Sequence, residues 1–192
     1  MARRHWPLPL LLLGTTALHG CAPLVVAGGA TAVIAAQDRR TVGSFIDDET
    51  IEWKAVTAIN AVESLKKEVH INVTSVNGTA LLTGEAPTIE LRDGVLTQVR
   101  GVPGVRRTVN EIRIGPPSTL ADRSNDSWLT GKIKTRLVGV ENLQSAQIKV
   151  VTENAVVYLM GLVKKDEAES ATEAARQVGG VQRVVKLFEY LD

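Results

Sequence analysis

An internal repeat constrains the fold of this chain more than any other feature of its 192 residues. The tetrapeptide Ile71-Asn72-Val73-Thr74 aligns with Ile148-Lys149-Val150-Val151, and Leu82-Thr83-Gly84 aligns with Leu159-Met160-Gly161, both at an offset of 77 residues. Upstream the offset is 78 and downstream it is 76, which one-residue changes in loops explain. The sequence therefore predicts one module of about 70 residues that occurs twice.

Each copy is predicted to fold in the order helix, strand, strand, helix, strand. Apolar residues recur at helical spacing in the first segment of both copies: Ile51, Ala55, Ile59 and Val62, and Leu129, Ile133, Leu137 and Val140. Asn77-Gly78 lies between two alternating segments and predicts a two-residue hairpin turn. At the equivalent Asn154-Ala155, alanine is unfavourable at positive φ, so we expect a longer turn or one of another type.

The second half of each copy predicts a helix and a closing strand. Residues 168–178 favour a helix, and Asp166 and Glu169 are typical of a capping box. The match is poorer in the first copy, because Gly94 interrupts the corresponding segment. A helical crossover makes the closing strand parallel to its neighbour. The expected fold class is α+β, with a three-stranded mixed sheet packed against two helices in each module.

Residues 115–124, with two prolines and several polar residues, indicate a connection between the copies. We therefore predict module 1 over residues 47–115, a linker over 116–123 and module 2 over 124–192. Length allows one domain or two small ones, and the repeat favours two.

The first 20 residues have the order of an export signal. Arg3 and Arg4 precede an apolar run over residues 8–18, and the small residue Gly20 ends the segment. The run is shorter than the roughly 20 residues that a membrane-spanning helix needs. Residues 1–20 are therefore predicted to be a signal peptide, and a buried N-terminal helix is the alternative.

Cys21, the only cysteine, follows directly. Leu18-His19-Gly20-Cys21 resembles the lipobox of bacterial lipoproteins, which implies that Cys21 is lipidated and becomes the first residue of the mature chain. A lone cysteine suits this role because it cannot form an internal disulfide, although an ordinary buried thiol is the alternative. By the sorting rule of such lipoproteins, Ala22 implies the outer membrane. Residues 21–46 are predicted to form the lipidated N-terminus and a tether.

Charge and residue usage exclude several function classes. Without residues 1–20, 20 basic residues face 21 acidic ones, which is not the composition of a nucleic-acid binder. His70 is then the only histidine, so the sequence offers no metal cluster and no catalytic triad. Asp47, Asp48 and Glu49 are interpreted as the acidic start of a helix. We expect no enzyme activity, no cofactor and no metal.

The endings of the two copies carry a family resemblance. Gly104-Val105-Arg106-Arg107-Thr108-Val109 and Gly180-Val181-Gln182-Arg183-Val184-Val185 resemble the G-V-x-x-V ending of the BON domain. A lipobox followed by two such modules resembles the dual-BON outer-membrane lipoproteins of Gram-negative bacteria, the DolP or YraP family, over nearly all of the mature chain. The resemblance implies a lipid-anchored, periplasm-facing protein that binds phospholipid and maintains envelope integrity without catalysis.

The repeat also predicts where a ligand binds. On the first helix of module 2, Trp128 lies off the core stripe, beside Lys132 and Arg136. Module 1 has Thr50 and Ala58 where module 2 has the tryptophan and the arginine, so the fold does not require either. A tryptophan beside cations on one helix face is typical of a membrane surface.

We therefore predict that this helix binds anionic phospholipid, and the expected contacts are Trp128, Leu129, Lys132, Lys134 and Arg136. Two alternatives stay open for the tryptophans: Trp128 packs against the other module or the linker, and Trp53 lies at the interface of the modules. A different function is the alternative hypothesis, namely a protein-interaction or chaperone-like module that assists the outer-membrane assembly machinery.

Overall fold

The structure is a computed structural model that describes residues 41–191. The predicted signal peptide, Cys21 and most of the predicted tether lie outside the described residues. Module 1 consists, in chain order, of α1 (Val42–Asn60), α2 (Glu63–Glu68), β1 (His70–Val76), β2 (Thr79–Ala86), α3 (Ile89–Arg100) and β3 (Arg107–Ile114).

Module 2 repeats this order with a 3₁₀ turn (Ser145–Gln147) in place of the short second α-helix. Its α-helices and strands are α4 (Leu120–Val138), β4 (Lys149–Glu153), β5 (Val156–Val163), α5 (Lys165–Arg176) and β6 (Arg183–Tyr190). In both sheets the first two strands are antiparallel and the closing strand is parallel to the central one. The predicted α+β class with two three-stranded mixed sheets is confirmed.

Both first helices begin earlier than the sequence predicts. Helix α1 begins at Val42, within the predicted tether, and α4 begins at Leu120, within the predicted linker. The hydroxyls of Thr41 and Thr119 accept backbone N–H groups of the first turn at 3.1 and 3.2 Å. Hydrogen bonds from Thr119 also lower the pKa of the Asp122 carboxyl, which completes a capping box. These caps, and not the apolar spacing, set where the helices begin.

The second helix of module 1 is continuous despite its central glycine. A side chain at Gly94 would bring its Cβ within 3.3 Å of Leu65 Cδ2, so the glycine makes room for the one buried residue of α2. Helix α2, which the sequence does not predict, therefore explains why Gly94 interrupts the helical pattern of module 1.

Helix α5 has a different cap from the predicted pair Asp166 and Glu169. The backbone N–H of Lys164 donates to Glu167 Oε2 at 2.8 Å. Glu167 is therefore the capping carboxylate, because it is the residue at the third helical position. The prediction that Asp166 and Glu169 form the box is wrong.

The two hairpins close with the same two-residue turn. The φ angles are 51° and 72° for Asn77 and Gly78, and 51° and 59° for Asn154 and Ala155. The expectation of a longer or different turn in module 2 is therefore wrong. The Asp126 carboxylate, which projects from α4, accepts the backbone N–H groups of Asn154 and Ala155 at 2.7 and 2.9 Å. These bonds hold alanine in a conformation that usually requires glycine.

Module 1 uses an equivalent carboxylate. Asp48 accepts the N–H groups of Asn77 and Gly78 at 2.7 and 2.9 Å and the hydroxyl of Ser75 at 2.7 Å. Asp48 lies in the second turn of α1 and is buried. The interpretation of Asp48 as part of an acidic helix start is therefore wrong, because this carboxylate holds the hairpin.

The two sheets pack against each other through the faces that point away from their own helices. Val76 and Leu81 of module 1 form an apolar cluster with Tyr158 and Met160 of module 2. The opposite face of each sheet carries the helices of its own module. The order of layers is therefore helices, sheet, sheet, helices, and the helices of the two modules lie on opposite outer sides.

Glu85, fully buried in β2, connects the linker and module 2. Its carboxylate accepts the backbone N–H of Ser118 at 3.0 Å and the side-chain amide of Asn154 at 2.6 Å. The Arg113 guanidinium lies 3.6 Å from the same carboxylate. Removing any partner would leave a buried charge poorly compensated, so these contacts stabilise one relative placement of the modules.

Candidate functional site

Helix α4 divides its residues between the core and an exposed flank. Leu129, Ile133 and Leu137 are buried in the core of module 2. Leu129 is 0% exposed, and Gly180 admits it, because a Cβ at that glycine would lie 2.9 Å from Leu129 Cδ2. The prediction that Leu129 contacts phospholipid is therefore wrong: it is a core residue and does not reach the surface.

Trp128 lies on the exposed flank and is 59% exposed. It takes no part in the apolar cluster between the sheets, so the alternative that it packs against module 1 is wrong. The Lys132 ammonium lies 4.1 Å from the centroid of the indole ring. This distance is within the range of a cation–π interaction, which orders an exposed tryptophan and a lysine as one unit.

Trp128 and its neighbours form one wall of a groove of about 730 Å³ between α4 and the segment that follows α5. Its lining residues are Trp128, Gly131, Lys132, Thr135, Arg136, Gln177, Val178 and Gly179. We call this surface the cationic groove. Lys132 Nζ donates to the Gly179 carbonyl at 3.3 Å, and Arg136 donates to Gln177 Oε1 at 2.7 Å. These two bonds hold both cations across the groove.

Lys134 is exposed but does not line the cationic groove. At 100° per residue it lies roughly 160° from Lys132 around the helix axis. The structure therefore brings together three of the five predicted contacts, namely Trp128, Lys132 and Arg136.

The groove changes sign along its length. Its lining near Trp128 contains two cations and no carboxylate. Beyond Arg136 and Gln177 it continues between α4 and α5, where Glu169 and Glu173 are among the lining residues. An anion is therefore favoured at the Trp128 end and opposed at the other end.

The second wall of the groove was not predicted from the sequence. Gln177, Val178 and Gly179 follow the helix that they face by about 40 residues. The repeat contained a signal, because Gly179 occupies the position of Pro103 in module 1 at the downstream offset of 76. Proline has no N–H and has a fixed φ, so it is not equivalent to glycine at this position. The two copies therefore differ in the second wall of the groove as well as in the helix that forms the first wall.

The residues that the structure describes contain neither a candidate metal cluster nor a membrane-crossing helix. In residues 41–191, no three potential metal ligands of the histidine, cysteine, aspartate or glutamate type lie together. The helices within the same range are too short or too polar to span a bilayer.

Comparison with protein families assigns the modules. The BON domain profile matches residues 47–116 and 125–192. The chain belongs to the BON-domain family. It is 38% identical over 185 residues to the outer membrane lipoprotein DolP of Haemophilus influenzae, which covers 96% of both chains. The dual-BON resemblance seen in the sequence is therefore confirmed, and the chain is an outer-membrane lipoprotein of this family.

The chain is also similar to two other proteins. The 21 kDa hemolysin of Actinobacillus pleuropneumoniae is 36% identical over 154 residues, covering 80% of this chain and 79% of the relative. The osmotically-inducible protein Y of Escherichia coli is 25% identical over 146 residues, covering 74% and 72%. The BON-family DolP relative is named as a lipoprotein and not as an enzyme.

Proposed function

We propose that the cationic groove of module 2 binds the headgroups of anionic phospholipids at the periplasmic face of the outer membrane, and that this contact supports outer-membrane integrity. The observation that carries the proposal is the exposed indole of Trp128 stacked with Lys132 beside Arg136. The indole enters the headgroup region, and the two cations pair with phosphates.

The strength of this contact is set by few groups. Each cation near an anionic surface contributes about 1 kcal/mol. With one tryptophan the sum is a few kcal/mol, which corresponds to roughly millimolar affinity for the isolated groove. An acyl anchor at Cys21, as predicted, raises the effective concentration of module 2 at the bilayer, so a weak groove suffices.

The sign change along the groove orients the module. Phosphates accumulate at the Trp128 end, whereas Glu169 and Glu173 repel them at the other end. Module 2 therefore meets the bilayer with the Trp128 end of α4 tilted toward the lipid.

Quenching of tryptophan fluorescence by brominated lipid tests the proposal. The predicted mature chain contains only Trp53 and Trp128, so Trp53→Phe leaves the indole of the groove as the single reporter. The protein isolated with its anchor is reconstituted into phosphatidylcholine vesicles that contain phosphatidylglycerol brominated near the headgroup end of its acyl chains. We expect strong quenching of Trp128.

The chain supplies a matched control in Trp128→Phe, which leaves Trp53 as the reporter in the same vesicles. We expect little quenching of Trp53, because it lies on the other outer side of the molecule. Replacing phosphatidylglycerol by brominated phosphatidylcholine should lower the quenching of Trp128, because the headgroup then has no net charge. Equal quenching of both tryptophans, or none of Trp128, would contradict the proposal.

A further inference from the structure

Gln177 links the cationic groove to the carboxylates at its far end. Arg136 Nη2 donates to Gln177 Oε1 at 2.7 Å, and Gln177 Nε2 donates to Glu173 Oε1 at 3.1 Å. The amide fits in this orientation alone, because a guanidinium only donates hydrogen bonds and an ionised carboxylate only accepts them. The arginine and the glutamate are therefore two hydrogen bonds apart, with the amide between them. We call these three residues the Gln177 relay.

The end of α5 fixes the place of Gln177. This residue is the C-cap of the helix, and its backbone N–H donates to the Glu173 carbonyl at 3.2 Å. The next residue, Val178, is buried in the core of module 2. The side chain of Gln177 therefore starts from an anchored backbone, one helical turn beyond Glu173.

Both cations of the groove are held by uncharged partners. Arg136 donates to the amide of Gln177. Lys132 donates to the Gly179 carbonyl and lies over the indole ring. Within residues 41–191, neither cation forms an ion pair with a carboxylate. Both positive charges are therefore held in place without being neutralised.

Module 1 has no equivalent of the Gln177 relay. At the repeat offsets, the positions of its arginine, glutamate and glutamine are occupied by Ala58, Thr97 and Gly101. None of these side chains carries a charge or an amide. The BON fold of the module therefore does not require the relay, which occurs in the copy that carries the cationic groove.

We infer that Gln177 keeps Arg136 available to anionic headgroups by separating it from Glu173. This inference rests on the proposed function of the groove and names a residue on which its preference for anionic lipid depends. Gln177 is a positioning residue: its amide holds the guanidinium in the groove and also binds the carboxylate that would otherwise pair with it. An Arg136 released from the amide would turn to Glu173, since an ion pair is stronger than a hydrogen bond to a neutral group.

A charged side chain could not replace this amide. A carboxylate at position 177 would accept from Arg136, but it would neutralise the arginine and repel Glu173. A cation at position 177 would pair with Glu173 and repel Arg136. The relay therefore requires a neutral group that both accepts and donates.

Gln177→Glu is the direct test. The protein isolated with its anchor and carrying Trp53→Phe is reconstituted with brominated phosphatidylglycerol, and the quenched fraction of Trp128 gives the docking equilibrium. We expect docking to fall at least about fivefold, because one cation is neutralised. As the matched control, Gln98→Glu on α3 of module 1 makes the same change of net charge and should change docking less than about twofold.

The Trp53→Phe background leaves the packing of the modules intact. Trp53 is 69% exposed and takes no part in the apolar cluster between the sheets. The expectation that Trp53 lies at the interface of the modules is therefore wrong, and its indole is replaced without cost to that interface.

A double-mutant cycle separates this role of Gln177 from a direct bond to phosphate. Gln177→Ala should lower docking about fivefold, because Arg136 then pairs with Glu173. Adding Glu173→Gln to that variant should restore docking to within about twofold of the parent protein. Glu173→Gln alone should change docking less than about twofold, because the amide already separates the two charges. A glutamine that only donated to phosphate would not be replaced by a change at Glu173.

The guanidinium of Arg136 provides a readout that requires no anionic lipid. Nitrogen-15 spectra of the anchored protein in phosphatidylcholine nanodiscs measure how fast the guanidinium rotates about its C–N bonds. We expect slow rotation in the parent protein, where the amide holds the group. Rotation should be faster in Gln177→Ala combined with Glu173→Gln, because neither acceptor then remains.

Three results would each overturn the inference: equal loss of docking in Gln177→Glu and Gln98→Glu, an equal effect of Glu173→Gln with and without Gln177, or fast rotation of Arg136 in the parent protein. All three leave the phospholipid proposal intact. The absence of Trp128 quenching in the parent protein would instead contradict the phospholipid proposal and, with it, this inference.

Discussion

Helices α1 and α4 occupy equivalent places in the two modules and differ most in their charge. Each has 19 residues and begins after a threonine cap. Each contributes a buried aspartate that holds a hairpin turn. The difference is on the outside, since α1 has four acidic residues and one base, whereas α4 has two acidic residues and four bases.

This comparison separates what the fold needs from what binding needs. The groups that both copies retain are the caps, the apolar stripe toward the sheet and the aspartate at the turn. The groups that differ are exposed, and in module 2 they form the cationic groove. The two first helices therefore carry opposite net charge on a shared architecture.

The largest expected effect concerns the shared aspartates. Asp126→Ala leaves the N–H groups of Asn154 and Ala155 without their acceptor, and should lower the free energy of unfolding by about 3 kcal/mol. Asp48→Ala should cost at least as much, because Ser75 also loses its acceptor. Denaturant unfolding measures both.

The exposed neighbour provides the control, since Asp47→Ala should stay within about 0.5 kcal/mol of the parent protein. If Asp126→Ala lowered the free energy of unfolding by less than about 1 kcal/mol, the carboxylate of α4 would not stabilise its hairpin turn as we expect.

Next in size is the effect of neutralising the groove. Replacing Lys132 and Arg136 by glutamine should lower the docking equilibrium of module 2 on phosphatidylglycerol by about 30-fold, which is about 1 kcal/mol per cation. The quenched fraction of Trp128 measures this equilibrium. Replacing Lys66 and Lys67 by glutamine makes the same change of net charge on module 1 and should leave the quenching unchanged. Equal effects of the two pairs would mean that total charge, and not the groove, controls docking.

The turns give opposite expected effects in the two modules. Ala155→Gly should raise the free energy of unfolding by about 0.5 kcal/mol, because glycine adopts φ of 59° without strain. Gly78→Ala should lower it by 1 kcal/mol or more. Its new Cβ would lie 2.8 Å from Arg106 Nε and 2.9 Å from the Gly104 carbonyl oxygen. Thermal unfolding of both variants checks the signs, and a change in the same direction would refute this account of the turns.

The smallest expected effect depends on pH. Glu153 occupies the position that Val76 has in module 1. Burial raises the pKa of its carboxyl above the usual 4.5, and the charge of Glu85 adds a smaller contribution. Hydrogen bonds from Asn72 and Thr83, and the nearby His70, oppose this shift. A raised pKa means that the native state holds the proton more tightly than the unfolded chain. The stabilising contribution of this group is therefore present below pH 4.5 and is lost as pH rises through the raised pKa.

Glu153→Gln removes this titration while keeping an acceptor for Asn72. Its free energy of unfolding relative to the parent protein should therefore improve between pH 4.5 and pH 7. Denaturant unfolding at several pH values tests this, and a relative stability that falls with pH would give the wrong sign.

The sequence predicts the fold well because the signals of the fold are local and occur twice. Helical spacing, Asn77-Gly78 and the G-V-x-x-V endings each concern a few neighbouring residues, and the second copy checks the first. The helix starts were missed because the caps at Thr41 and Thr119 lie upstream of the apolar repeat. Helix α2 has six residues, which is too short for a clear period.

Contacts between distant residues were harder to predict. The packing of sheet on sheet had a signal, because the β5 sequence VVYLMGLV is a continuous apolar run, typical of a strand buried on both faces. The bonds of Glu85 with Ser118 and Asn154 had none, since no local pattern identifies partners 33 and 69 residues away. At the site, the exposure of Trp128 was predicted, whereas Leu129 was assigned to the surface although its spacing places it in the core.

The order of the four layers gives the molecule a fixed thickness. Stacked sheets lie about 10 Å apart and a helix is about 10 Å across, so the axes of α1 and α4 are separated by about 30 Å. Because Glu85 binds both the linker and module 2, we expect this separation to stay constant, unlike that of two modules joined by a flexible hinge. With the cationic groove on lipid as proposed, α1 would stand at a constant height above the leaflet, on the side of the molecule that is turned away from the membrane.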